Sequence, residues 1–181
     1  LIFGGAGLVG LQVSRHLVMR MQPRRIVVAS LQHAEAEEAC AKLEAEFGDR
    51  IAFVPESGNL FVPTSLSKKS RSELMATSKT RKRLLSALYD DFEKAYKQNH
   101  LVTLIRRHRP EVVVDCVNTA TGLSYQDVFD GAAKVREWIS KDGFASEGVT
   151  DLEALLLSQT GPQLIRHVRL VHRATTEYQT R

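Results

Sequence analysis

The feature that most constrains the fold of this chain is a group of glycines near its beginning. Gly4, Gly7 and Gly10 follow a short apolar segment at 1–3, and apolar residues with helical spacing come directly after them. Such a turn between a strand and a helix is typical of a βαβ unit, because glycine permits a tight bend and close packing of helix on strand. Backbone N–H groups at the beginning of that helix can hold the negative charges of a pyrophosphate. The sequence therefore predicts a parallel α/β sheet whose first turn binds a dinucleotide.

The rest of the chain alternates between strand-like apolar runs and segments with helical periodicity. Further strands are predicted at 26–29, 51–54 and 112–117, and Pro55 is expected to end the strand that precedes it. Helices are predicted at about 9–21, 33–47, 80–98, 101–108, 124–140 and 151–159, with a last one beginning near Pro162. The residues of that last helix expected to face inward are Leu164, Ile165, Val168 and Val171.

This alternation of strands and helices favours an all-parallel sheet. Right-handed crossovers place the four strands in the order 3-2-1-4, which is one half of a Rossmann-type doubly wound sheet plus the first strand of the other half. We therefore expect residues 1–181 to form an NAD(P)-binding Rossmann domain of the α/β class whose second half is truncated. The lack of an initiator Met and of a fifth strand suggests that the sequence is part of a longer chain.

A basic segment interrupts this pattern after the third strand. Residues 61–79 are rich in Ser, Thr and Lys, and we expect them to form an irregular insertion. Between positions 66 and 83 the sequence contains seven Lys or Arg residues and one acid, Glu73. The cationic residues are Lys68, Lys69, Arg71, Lys79, Arg81, Lys82 and Arg83. No aromatic residue lies among them, so a solvated surface is the favoured interpretation and nucleic acid is an unlikely partner.

Composition narrows the class of protein further. No run of about 18 apolar residues occurs, which argues against a membrane span. Since no signal segment opens the chain and its two cysteines, Cys40 and Cys116, cannot form a disulfide framework, we expect a cytoplasmic protein. His167 and His172 would lie about 140° apart around a helix, so they cannot share a metal, and no metal site is predicted.

The end of the second strand indicates which dinucleotide is bound. A carboxylate at this position binds the ribose hydroxyls of NAD and repels the 2′-phosphate of NADP. Here the strand ends at Ser30 and is followed by Gln32 and His33, with no acid before Glu35. The side chains of Ser30, Gln32 and His33 can donate hydrogen bonds to a phosphate. We therefore predict NADP as the cofactor, with NAD as the alternative.

Two stretches of the sequence resemble a known family. Gly4-Gly5-Ala6-Gly7-Leu8-Val9-Gly10 resembles the Thr-Gly-Gly-Ala-Gly-Phe-Ile-Gly turn of extended short-chain dehydrogenases and sugar-nucleotide epimerases or reductases, with Phe3 in place of the Thr. Residues 109–115 resemble the Lys-Pro-Asp-Val-Val and following strand of the same family. The resemblance covers about 1–60 and 101–122, which correspond to the N-terminal part of the family. It implies an oxidoreductase or epimerase that uses NAD(P).

The resemblance also implies particular contacts with the cofactor. Asn118, Thr119 and Ala120 would flank the nicotinamide ribose, Asn59 would hydrogen-bond the adenine, and Leu60 would cover its face. The predicted cofactor-binding residues are then Gly4, Gly5, Ala6, Gly7, Leu8, Val9, Gly10, Ser30, Asn59, Leu60, Asn118, Thr119 and Ala120.

The chain departs from the family in its catalytic residues. The family uses Tyr-x-x-x-Lys, in which the lysine lowers the pKa of the tyrosine. Tyr89, Tyr96 and Tyr125 are followed at the fourth position by Glu, His and Phe, and Tyr178 lies too near the end. In the family this pair follows the fifth strand, so we expect the catalytic residues beyond Arg181.

Three classes of function remain open at this point. The first is the nucleotide-binding part of a short-chain dehydrogenase or epimerase. The second is a reductase similar to saccharopine dehydrogenase, whose Ala-Ser-Arg strand end is partly matched by Val28-Ala29-Ser30. The third is a non-catalytic module that binds NADP as a sensor and presents the basic insertion to a partner. The small-molecule substrate is not specified by the sequence, and a homodimer is left open.

Overall fold

The computed structural model describes residues 1–117, 128–140 and 146–180. Within them the chain forms one parallel sheet in the order β3-β2-β1-β4, as predicted. Its strands are β1 (Ile2–Phe3), β2 (Arg25–Ser30), β3 (Ala52–Ser57) and β4 (Val114–Asp115). Backbone hydrogen bonds continue past the short β4, since Cys116 N donates to the carbonyl of Phe3 at 2.9 Å. The described residues therefore have a Rossmann-like α/β fold.

Helices connect and cover the strands. In the described ranges they are α1 (Leu8–Met21), α2 (His33–Phe47), α3 (Arg71–Ala76), α4 (Ser78–Tyr89), α5 (Phe92–Gln98), α6 (His100–His108), α7 (Val128–Ser140), α8 (Ser146–Leu157) and α9 (Thr160–Glu177). Two short 3₁₀ turns lie at Gly48–Arg50 and Thr64–Leu66. None of these described helices combines the length and the apolar character that crossing a bilayer requires.

The sheet is covered on both faces, which explains why its strands are apolar without alternation. Ile26 and Val28 point to one face and pack with Val18 of α1 and Leu43 of α2. The alternate residues of the same strand point to the other face, where α6 and α9 cover it. That second cluster contains Phe3, Val27, Ala29, Leu101, Leu104, Ile105, Leu170 and Ala174. Helices therefore pack on both faces of the sheet, and the loops at the carboxyl ends of the strands lie between these two helical layers.

The prediction that Pro55 ends the third strand was wrong. β3 continues through Pro55, which pairs with Val28. Ala52 N donates to the carbonyl of Arg24, just before β2, and Gly58 N donates to that of Ser30. The N–H groups of even-numbered residues therefore point toward β2, and an N–H at position 55 would point away. Because β3 is an edge strand among the described residues, proline costs no ladder hydrogen bond there.

The basic segment 61–79 is more regular than predicted. It contains the 3₁₀ turn and α3, whose first turn is held by a capping box between Ser70 and Glu73. Its apolar residues join a separate small core with α4 and α8, which includes Val62, Leu66, Leu74, Leu84 and Leu157. The cationic side chains are also not uniformly solvated, because Arg81 is buried and donates to Glu153 at 2.7 Å.

The helix predicted at 80–98 is divided into α4 and α5. Asp90 is extended, with φ of −83° and ψ of −155°, and Asp91 caps α5 by accepting a hydrogen bond from Lys94 N at 2.7 Å. An Asp side chain that bonds nearby backbone N–H groups competes with helix continuation. The apolar periodicity continues across this break, so the sequence pattern did not reveal it.

The inward face predicted for the last helix was wrong. Leu164, Ile165 and Val168 are 46%, 61% and 56% exposed, and only Val171 packs against the core. The buried face of α9 instead carries Gln163, His167, Leu170 and Ala174. His167 contacts Asp115 at the end of β4, and this polar contact helps to fix the rotation of the helix on the sheet. The predicted beginning of α7 at 124 lies outside the described residues.

Candidate functional site

A cleft of about 510 Å³ opens at the carboxyl edge of the sheet. Ligands of open α/β sheets bind at this edge, where the direction of the connections changes. The cleft is bordered by the glycine turn, the end of β2, the loop after β3 and the end of β4. The predicted residues that line it are Gly4, Ala6, Gly7, Ser30, Asn59 and Leu60.

Two glycines of the turn are required by the local geometry. Gly4 has a φ of +68°, and a Cβ on it would lie 2.9 Å from the carbonyl oxygen of Cys116. A Cβ on Gly10 would lie 2.4 Å from the carbonyl oxygen of Gly4. The first glycine therefore permits the bend, and the last one allows α1 to approach the turn closely. Both roles agree with the sequence prediction.

Gly7 differs from them because a Cβ there would have one close neighbour, which a shift of a few tenths of an ångström relieves. A Cβ there would meet only the carbonyl oxygen of Gly4, at 3.3 Å. Its backbone, with φ of −72° and ψ of 167°, is open to any residue, so neither the conformation nor the packing demands a glycine. The missing side chain leaves the backbone of the turn open to the cleft.

The N-terminus of α1 is well suited to a negative charge. Gly7 caps this 14-residue helix without a side-chain hydrogen bond, and its first turn contains no acidic residue. The first N–H groups of a helix have no acceptor within it, and the helix dipole favours an anion there. Gly5 and Gly10 are buried, whereas Leu8 and Val9 are 89% and 64% exposed, so all four can contribute only backbone or apolar contacts.

A carboxylate reaches the end of β2 after all. Ser30 Oγ donates to Glu35 Oε2 at 2.6 Å, and Glu35 lines the cleft together with Glu38 and Lys42. The first turn of α2 brings Glu35 back toward the strand that it follows by five positions. The cleft therefore contains a carboxylate beside the end of β2, although the strand end itself has no acidic residue. The preference for NADP stays a prediction.

The loop after β3 forms the opposite wall of the cleft. Gly58 has a φ of +137° and packs against His100, whose Nε2 bonds the carbonyl oxygen of Ser57 at 3.0 Å. Asn59 Oδ1 accepts a hydrogen bond from Phe61 N at 3.0 Å, which fixes the turn. Leu60 is buried in the core and presents part of its surface to the cleft. These positions suit the adenine contacts predicted for Asn59 and Leu60.

The cleft ends at Cys116 and Val117, directly after β4. Burial raises the pKa of the Cys116 thiol, and the neighbouring Asp115 raises it further, so the group stays neutral at physiological pH. It therefore adds no negative charge to the site. The next predicted residues, Asn118, Thr119 and Ala120, lie outside the described residues.

Sequence reasoning missed a hydrogen bond between a histidine and an acid beside this end of the cleft. His167 Nε2 lies 2.6 Å from Asp115 Oδ2, and Val117 N donates to Asp115 Oδ1 at 3.0 Å. Burial by itself raises the pKa of Asp115, but the hydrogen bonds from His167 and Val117 hold that pKa below its usual value. The signal in the sequence was an acid within an apolar strand, Asp115. Its partner, 52 positions away, had no signal in the spacing.

Comparison with known proteins adds no assignment, because no family model, curated protein or solved structure matches the chain. The resemblance to extended short-chain dehydrogenases therefore stays a prediction. What the chain itself presents is a Rossmann-like sheet, an uncapped helix N-terminus and a cleft at the carboxyl edge. Functions can be argued only from these features.

Proposed function

We propose that this chain binds an NAD(P)-type dinucleotide, with the pyrophosphate held against the backbone of the turn at 4–10. The observation that carries the proposal is the open position of Gly7 at the uncapped N-terminus of α1, inside a cleft of about 510 Å³. Clefts of roughly 300–1,000 Å³ suit ligands of drug or cofactor size. Charge-assisted hydrogen bonds from the first N–H groups would hold the phosphate oxygens.

The borders of the cleft suggest how the rest of the molecule would lie. The adenine would rest near Asn59 and Leu60, and its ribose near Ser30 and Glu35, since these residues share the cleft with Gly7. The nicotinamide would then point toward the end of β4 and the three positions that follow Val117. This orientation agrees with the contacts implied by the family resemblance.

The chain would serve as the nucleotide-binding part of an oxidoreductase or epimerase of the extended short-chain type. Its sequence contains no Tyr-x-x-x-Lys pair, so the proton-transfer groups of that chemistry would lie elsewhere. Binding and orientation of the cofactor are the steps that these residues would perform. A reductase of the saccharopine-dehydrogenase type and a non-catalytic sensor would use the same turn.

Equilibrium titration with NADPH and NADH tests the proposal directly. We expect saturable binding with one site per chain, detected by calorimetry and by a change in nicotinamide fluorescence. ADP should compete, because it carries the pyrophosphate and the adenosine. If neither dinucleotide binds at millimolar concentration to the folded protein, the proposal is wrong.

A further inference from the structure

A second cavity, of about 370 Å³, adjoins the cleft at the carboxyl ends of β2 and β3. Leu31 and Asn59 line both spaces, so the two are neighbours on the same edge of the sheet. The far side of the second cavity is formed by residues 67–71, from the basic segment. Hereafter we refer to it as the basic cavity.

The basic cavity carries an excess of positive charge. Lys68, Lys69 and Arg71 line it, and Glu73 is the acid among its lining residues. That carboxylate is occupied, because Glu73 Oε2 accepts hydrogen bonds from the N–H and the hydroxyl of Ser70, both at 2.7 Å. The cations therefore dominate the potential inside the cavity.

One of these cations is held at a defined place. Lys68 Nζ donates to the carbonyl oxygen of Ser57 at 2.7 Å, which fixes the ammonium at the end of β3. Ser57 pairs in register with Ser30, the last residue of β2. Neighbouring strands lie about 4.8 Å apart, so the charge is close to the strand end at which the adenosine ribose would rest.

We propose that the basic cavity receives a phosphate monoester carried on the adenosine ribose, so that the cleft and the cavity together select NADP over NAD. Lys69 and Arg71 would contact the phosphate, and Lys68 would contribute its charge from the end of β3. This inference rests on the proposed function, since the cleft must first hold the dinucleotide. It also assigns a role to the basic segment, whose cations converge on a cavity.

Glu35 acts in the opposite direction. Its carboxylate lies in the cleft beside Ser30, where it favours a ribose hydroxyl and repels a phosphate. Glu38, the other acid of the cleft, is paired with Lys42 at 2.7 Å. The three cations of the basic cavity outnumber Glu35 and Glu73, so the balance of charge favours the phosphate. Substitutions of these two kinds of residue should therefore have opposite effects on NADPH binding. Lys69→Gln should weaken it, and Glu35→Gln should strengthen it.

The test compares ligands that differ only in the ribose phosphate. For the unaltered protein we expect NADPH to bind at least about tenfold more tightly than NADH, and 2′,5′-ADP more tightly than 5′-AMP. The double variant Lys69→Gln/Arg71→Gln should lose most of this preference and leave NADH binding unchanged. Lys82→Gln, which removes a cation of α4 outside the basic cavity, is the matched control.

Each outcome separates the two proposals. Equal binding of NADPH and NADH by the unaltered protein would overturn the role of the basic cavity and leave the proposed function standing. An equal loss for both dinucleotides in the double variant would also overturn it, provided that thermal unfolding shows the variant to be folded. Failure of every nucleotide to bind would overturn both proposals. If the protein instead binds RNA and the Lys82→Gln variant loses that binding, the basic residues form a nucleic-acid surface and the role of the basic cavity is overturned.

Discussion

Replacement of Gly7 by Asp separates binding from folding at the centre of the proposed site. Gly7 occupies the N-cap of α1 in an extended conformation that any residue adopts. The new Cβ would lie 3.3 Å from the carbonyl oxygen of Gly4, which requires a shift of only a few tenths of an ångström. Asp is among the best N-cap residues, because its carboxylate accepts hydrogen bonds from the first N–H groups of the helix.

The expected magnitudes differ greatly for the two properties. A cap changed from Gly to Asp stabilises a helix by a few tenths of a kcal/mol, and the helix dipole adds about 0.3–1 kcal/mol. The free energy of unfolding should therefore stay within about 1 kcal/mol of its original value. A hydrogen bond to a charged group contributes about 1.5–3 kcal/mol, so loss of two such bonds to the pyrophosphate costs about 3 kcal/mol or more. The Kd should rise by roughly 100-fold or more.

The assay is a calorimetric titration with NADPH and NADH, paired with urea unfolding of the same samples. Gly161→Asp is the matched control, because it places the same charge in the first turn of α9, where nothing lies within 4 Å of the new Cβ. The control should bind both dinucleotides normally. Unchanged affinity in a folded Gly7→Asp variant would show that the pyrophosphate does not rest on this turn.

Three further predictions concern stability. Gly10→Ala should destabilise the fold by about 1–3 kcal/mol or more in urea unfolding, because the new Cβ would lie 2.4 Å from the carbonyl oxygen of Gly4. Glu153→Ala should cost about 3–5 kcal/mol in the same measurement, since it removes the carboxylate that lies 2.7 Å from the buried Arg81 guanidinium and leaves that charge uncompensated. His100 should make the protein less stable as the pH falls below about 6.5, because burial lowers the pKa of its imidazole and the unfolded chain then binds the proton more readily.

Control variants sharpen these three measurements. Gly131→Ala, in the interior of α7 with Leu155 Cδ1 at 3.4 Å, should not destabilise the fold. Arg81→Met combined with Glu153→Leu should recover much of the stability, whereas no recovery would show that the ion pair itself is not responsible for the loss. His100→Gln should remove its part of the pH dependence, and an unchanged slope of stability between pH 7 and 5 would contradict the assignment to His100.

The sequence by itself determined those parts of the fold whose causes are local. The glycine turn predicted the bend at Gly4 and the close approach at Gly10, because φ and Cβ space depend on a few neighbouring residues. The range of α2, 33–47, was predicted at both ends, since its stripe of apolar residues lies within that stretch and Gly48 follows it directly. The order 3-2-1-4 followed from the handedness of crossovers, which applies to any parallel sheet.

The tertiary structure decided whatever depends on residues far apart in the chain. The ammonium of Lys68 reaches the carbonyl oxygen of Ser57 only through the fold of the basic segment. The rotation of α9 was predicted from its most apolar face, but the helix is turned so that His167 faces the sheet and hydrogen-bonds Asp115. A periodic pattern identifies the most apolar face of a helix. Which face is buried in the fold also depends on polar groups far away in the sequence that hydrogen-bond side chains of the helix.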